Sequence, residues 1–133
     1  MSIDSIFYDR LKDSAGGLDD IVSTRIYPGR APQNAVLPFV VWTIIDKTVD
    51  GRAMGSDSAI RRARIQIDGF ETDFDKARTL ENAIRERVQR WRTAGPPLVF
   101  DTYLLDTTGP LYDEAAEPGI YRVTLQIELC FEE

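Results

Sequence analysis

The chain has 133 residues, 43% of them hydrophobic, with 16 lysines and arginines against 22 aspartates and glutamates and a formal net charge of -6. That length is one domain's worth, residues 1–133 around a single core burying roughly two thirds of the unfolded surface. The acidic balance argues against general nucleic-acid affinity, which rests on Lys and Arg neutralising phosphates.

A single cysteine, Cys130, excludes an internal disulfide framework and a cysteine-cluster metal site. No histidine is present, so the commonest general base and the commonest transition-metal ligand are both missing. The start, Met1-Ser2-Ile3-Asp4, carries an early acid and no long apolar run, and no stretch approaches membrane-spanning length. The expectation is a soluble, cytoplasmic chain without a membrane partner.

Ile3, Ile6, Phe7 and Leu11 share one side of a short amphipathic helix, closed by Ala15-Gly16-Gly17. A helical turn around Leu18 to Val22 follows. Thr24 to Gln33 holds two prolines and a glycine and predicts an extended loop pinned by Ile26 and Tyr27. Pro38 marks the start of a strand, Phe39 to Ile45, which is apolar on both alternating sets, as in a strand covered on both faces. Asp46 to Ser58 then reads as a long hairpin arm, rich in Gly, Ser and Asp and too long for a tight turn.

The stretch from Ala59 to Trp91 is the clearest local signal. Ala63, Ile65 and Ile67 alternate with Arg62, Arg64, Gln66 and Asp68, the period of a strand with one buried face. The period then changes: Phe74, Ala77, Leu80, Ile84, Val88 and Trp91 fall on one stripe of a helix that must cover a sheet. Thr72 or Asp73 can cap its start, and Gly95-Pro96-Pro97 forbids its continuation. Glu81 with Arg85 and Glu86 with Arg90 are i,i+4 pairs on an expected solvated face, where Arg87 and Arg92 add to the basic end.

Leu98 to Leu105 suggests a third strand, interrupted near Asp101-Thr102, and Asp106 to Gly119 a second long loop. Tyr121, Val123, Leu125, Ile127, Leu129 and Phe131 then alternate with Arg122, Thr124, Gln126, Glu128 and Cys130 in a last strand. Its charged face matches that of Arg62 to Asp68, so the two strands can pair. The fold class is α+β: an antiparallel sheet of about four strands with the N-terminal helix and one long helix on one face.

Chemistry is sparse. Asp68, Glu71, Asp73 and Asp75 could hold a hard cation, but strand-end and helix-capping roles account for them more fully. Asp46, Asp50 and Asp57 lack the spacing of a calcium loop, and Cys130 has no histidine to activate it. No catalytic residue, metal or cofactor is assigned. An alternative function remains a small α+β binding module or a divalent-cation enzyme using loop carboxylates.

Thr24-Arg25-Ile26-Tyr27-Pro28, then Ala31-Pro32-Gln33, then Leu37-Pro38-Phe39-Val40-Val41 resemble the tail-completion family of long-tailed bacteriophages, the tail terminator or head-to-tail joining proteins. The resemblance rests on the order and spacing of elements over nearly the whole length, with Arg25, Ile26, Tyr27, Pro28 and Pro38 as the family-motif turn. It implies a non-enzymatic structural protein of the virion, assembled in the host bacterial cytoplasm. It also implies a homo-hexameric ring at the head-proximal end of the tail that ends tube polymerisation and joins tail-tube protein to the head connector or stopper. DNA would pass through the ring without sequence-specific binding, and an acidic chain suits such a conduit. Candidate assembly residues are Phe39, Val41 and Trp42 on the apolar strand and Asp46, Lys47, Asp50, Arg52, Met54 and Asp57 on the arm.

Overall fold

Two alternating patterns and one helical stripe become a single sheet with its helices on one side. The computed structural model describes residues 2–13, 17–52, 59–94, 97–114 and 119–132, with the backbone alone described at 50–52 and 59. In chain order these form α1 (Ile3–Lys12), α2 (Leu18–Val22), β1 (Ile26–Pro28), β2 (Phe39–Arg52), β3 (Ala59–Glu71), α3 (Phe74–Val88), β4 (Leu98–Asp113) and β5 (Ile120–Glu132). The sheet order is β1-β2-β3-β5-β4, with β1 parallel to β2 and every other pairing antiparallel.

The expected α+β sheet is present, with its helices packed on one face, and it has five strands because the proline-rich segment contributes β1. Ile26, Tyr27 and Pro28 align with Val40, Val41 and Trp42. The Val40 amide donates to Arg25 O at 3.0 Å and the Gly29 amide to Trp42 O at 2.7 Å. A proline ends this strand without cost because the ladder needs no donor from it there.

Two expected loops are largely strand. Residues 46–52 continue β2 against β3, and residues 106–113 continue β4 against β5. Their Asp, Lys, Gly and Pro content hides them from a propensity reading, because in a sheet the pairing partner outweighs intrinsic preference. The expected interruption near Asp101-Thr102 is a bulge in one continuous β4, with further irregularities between Leu104 and Asp106 and between Thr108 and Leu111.

The core lies between the helices and the inward faces of the strands. Ile65, Ile67, Val123, Leu125, Ile127, Leu129 and Phe131 are buried there under Leu80, Ile84 and Val88 of α3. Ile3, Phe7 and Leu11 of α1 are also buried, and the Phe7 ring meets Trp42 edge-on at 5.3 Å. Helix and sheet approach closely over Gly69. A methyl group there would sit 2.9 Å from Leu80 Cδ2, 3.0 Å from Val123 Cγ2 and 3.2 Å from Ile84 Cδ1.

The helix ends differ from expectation in three ways. Phe74 is 43% exposed and meets Tyr121 at the rim. The helix stops at Val88, and Trp91 reaches the core from the segment beyond it. Arg90 takes a positive φ of 63° and pairs with Asp101 at 2.8 Å, not with Glu86. The Glu81–Arg85 pair does form, at 2.9 Å, but Glu81 is buried and not on the expected solvated face.

Arg87, expected in solvent, is buried and ties α3 to α1. Its Nε donates to Arg10 O at 2.7 Å, Arg10 Nε donates to Arg87 O at 2.8 Å, and Arg87 Nη2 meets Asp13 at 2.9 Å. Burial, followed by the like charge of Arg87, lowers the pKa of Arg10, while Asp13 opposes the shift.

Two predictions follow this packing. Leu80→Ala should cost about 2 to 5 kcal/mol by opening a cavity, and Gly69→Ala about 1 to 3 kcal/mol by overpacking the same contact; urea unfolding reads both. In the same assay Arg87→Ala should cost about 1.5 to 3 kcal/mol through its charge-assisted hydrogen bonds, whereas Arg64→Ala, whose pair with Asp46 is exposed on both sides, should cost less than about 1 kcal/mol. Equal effects at the two arginines would contradict the buried bracket.

Candidate assembly interface

Among the described residues, helices cover one face of the sheet and leave the other bare. The register fixes which residues meet on the bare face: Phe39 beside Phe70 and Arg122, Val41 beside Asp68 and Thr124, Thr43 beside Gln66 and Gln126, Asp46 beside Arg64 and Glu128. At one end this face is aromatic. Phe39 stacks on Phe70 with ring centroids 4.7 Å apart, Tyr27 meets Phe39 edge-on at 6.0 Å, and the Arg122 guanidinium lies 5.9 Å from the Phe70 ring.

Towards the other end the face is built of opposite charges in adjacent strands. Arg62 meets Glu128 at 2.6 Å and Arg64 meets Asp46 at 3.1 Å. Between the two zones sits Asp68, only 8% exposed. Its carboxylate accepts from Thr124 Oγ1 at 2.7 Å, from Arg122 Nη2 at 3.1 Å and Nε at 3.2 Å, and from Gln66 Nε2 at 3.1 Å. Four donors from two other side chains of β5 and one of β3 hold a carboxylate that would otherwise be expensive to bury.

Of the acids near the start of α3, Asp68 and Glu71 are thus engaged in hydrogen bonds. Glu71 accepts from the Thr72 amide at 2.8 Å, and Asp73 occupies the N-cap of α3 without a side-chain capping bond. Among the described residues no group of His, Cys, Asp and Glu could hold a metal ion. No described helix is long and apolar enough to cross a membrane.

The sheet also ends in two long free edges. β1 covers β2 only at residues 40–42, and β4 is paired on its β5 side alone. A chain with one covered face, one prepared bare face and two unpaired edges has the surfaces of an assembly subunit.

A model of the family described as tail completion protein gp17 matches residues 7–132. The chain belongs to that family. It is a structural protein of the phage tail, a component of the virion. Its fold is similar to that of a chain in the virion of a native gene transfer agent (GTA) particle, with a TM-score of 0.67 at 15% identity, covering 95% of this chain and 91% of that one. No curated protein matches the sequence.

The turn from Arg25 to Pro28 seats β1. Arg25 Nε donates to Pro38 O at 2.8 Å, Tyr8 donates its hydroxyl to Ile26 O at 3.1 Å, and Ile26 is buried. Tyr27 joins the aromatic end of the bare face, and Pro28 ends the strand.

The candidate assembly residues separate. Phe39 and Val41 lie half-buried on the bare face. Trp42 does not: strand alternation turns it inward, where it is 5% exposed against Phe7 and Tyr8. Asp46 is paired with Arg64, and Lys47 reaches Asp4 of α1 at 2.9 Å. The backbones at Asp50 and Arg52 belong to β2, while Met54 and Asp57 lie outside the described residues. Asp68 and Arg122 were not singled out as a cluster by sequence reasoning, although their place on two matched charged strand faces was the available signal.

Asp68→Ala should destabilise the chain by about 1 to 3 kcal/mol, chiefly by leaving the partly buried donors Thr124 and Gln66 unmet. The half-exposed Arg122 adds little as an ion pair, so Arg122→Lys should cost less than Asp68→Ala in thermal unfolding.

Proposed function

We propose that this tail completion protein forms a hexameric ring at the head-proximal end of the tail, where it stops tube polymerisation and joins the tail to the head connector or stopper. The reading rests on family membership over residues 7–132. The observation in the fold that supports it most is the bare face with its free edges, surfaces that one small core does not require. In this role the protein is non-enzymatic and needs no cofactor. The hairpin of β2 and β3, with Phe39, Val41, Asp46, Lys47, Asp50 and Arg52 on its first strand and Met54 and Asp57 beyond, contacts neighbouring subunits or the tube.

The net charge of -6 suits a ring that lets DNA slide through without gripping it. Each bare-face arginine paired above has a carboxylate partner, which limits phosphate capture there.

Native mass spectrometry of the purified chain, alone and with tail-tube protein, tests the assembly. A six-subunit species in either condition is expected. A chain that stays monomeric at high concentration with tube and connector proteins present would overturn the reading.

A further inference from the structure

The two free edges match each other in direction, height and shape. β2 is antiparallel to β3, β3 to β5 and β5 to β4, so the two outer edges run in opposite directions. Four long strands per copy is an even number. A neighbour related by the ring axis therefore brings its β4 beside β2 with the antiparallel alternation unbroken, the strands tilted and staggered as closure requires.

Height follows from the register. Thr43 is level with Gln66, Gln126 and Asp106, and Thr48 is level with Arg62, Cys130 and Asp101. The part of β2 that β1 leaves uncovered, from residue 43 upward, thus stands level with residues 98–106 of β4. Below it, β1 occupies β2 at residues 40–42, level with Thr108 through Val41, Asp68 and Thr124. That lower part of β4 is where Pro110 removes a donor and the ladder shifts between Thr108 and Leu111. The broken stretch of one edge falls where the other is already filled.

Bulges ordinarily blunt an edge. Here they are paired across the subunit. The shifts at Ile44/Asp46 and Leu104/Asp106 both adjoin the row of Ile65 and Ile127, and those at Val49/Gly51 and Val99/Asp101 both adjoin the row of Arg61 and Phe131. The two edges therefore bend on either side of the same two rows. Each also exposes apolar side chains there: Ile45 and Val49 on β2, Phe100, Tyr103 and Leu105 on β4.

We infer that copies of this chain join edge to edge, residues 43–49 of β2 in one copy pairing antiparallel with residues 98–106 of β4 in the next. The inference rests on the proposed ring and specifies its contact. The pairing is head-to-tail, so it closes when the rotation between copies closes and leaves neither of these two stretches free. The helices, being the bulkier layer, lie outside the curved sheet, and the bare face with its paired charges turns inward.

Cross-linking in a Cys130→Ser chain tests it. Chains carrying Ile45→Cys or Thr48→Cys are mixed with chains carrying Tyr103→Cys or Leu105→Cys, and a short bismaleimide is added under the conditions used for native mass spectrometry. Cooperative unfolding of each variant is checked first. Cross-linked dimers are expected when a β2 variant meets a β4 variant and not from either alone, and a chain with both Ile45→Cys and Leu105→Cys should give a ladder ending at the ring. Hydrogen exchange should slow at least tenfold on assembly at residues 43–49 and 98–106 while the aromatic end of the bare face stays unchanged.

Rings that form without a β2-to-β4 cross-link in any combination, or that cross-link Tyr103→Cys to itself, overturn the edge pairing and leave the ring standing. Failure of any ring to form with tube protein present removes both.

Discussion

Everything in this fold depends on one contact, the seating of α3 across β3 and β5 at Gly69. Leu80 and Ile84 reach the sheet there because no Cβ intervenes, and Val123 of the neighbouring strand closes the same point. The helix that covers the two central strands fixes which way their side chains face. With Ile65, Ile67, Leu125 and Ile127 committed to the helices, Arg64, Gln66, Gln126 and Glu128 have no choice but the opposite side.

The bare face is consequently a surface that had to be stabilised without a second layer. It is held by neighbours in adjacent strands: aromatic rings at one end, opposite charges at the other, and Asp68 with its donors between them. Exposed pairs of this kind contribute little to stability singly, so their value lies in matching strands in register. A one-residue slip of β3 against β5 would break Arg62 from Glu128 and Asp68 from Thr124 and Arg122 while also turning Ile65 and Ile67 out of the core.

Much of this was legible in the sequence. The alternation of Ala63, Ile65 and Ile67 and of Val123 to Phe131 marks two strands with one buried face, and the stripe from Ala77 to Val88 marks the helix that covers them. The charged faces of those strands do lie side by side. What escaped was decided by partners far away in the chain. Residues 46–52 and 106–113 carry poor strand formers and are strands because β3 and β5 offer a ladder. Arg87 reads as a solvated basic residue and is buried because the end of α1, at Arg10 and Asp13, supplies its acceptors. Phe39 to Ile45 looks apolar on both faces for two different reasons: Val40 and Trp42 enter the core, whereas Phe39 and Val41 belong to the aromatic end of the bare face.

That last distinction bears on how such a subunit stays folded before it meets its partners. The apolar side chains of the bare face near β1 are already half-buried against one another, Tyr27 on Phe39 and Phe39 on Phe70, so they form a finished surface within one copy. Ile45, Val49, Phe100, Tyr103 and Leu105 are different, exposed on bulged edge strands with no strand on their outer side among the described residues. Apolar residues on a long free edge are the feature natural sheets most often suppress. Here the suppression is partial and local: Pro110 breaks β4 near the height where β1 already caps the opposite edge, and the remaining length is bulged twice but stays paired to β5. An edge protected in one half and bulged at defined positions in the other is better suited to one matching neighbour than to indiscriminate pairing.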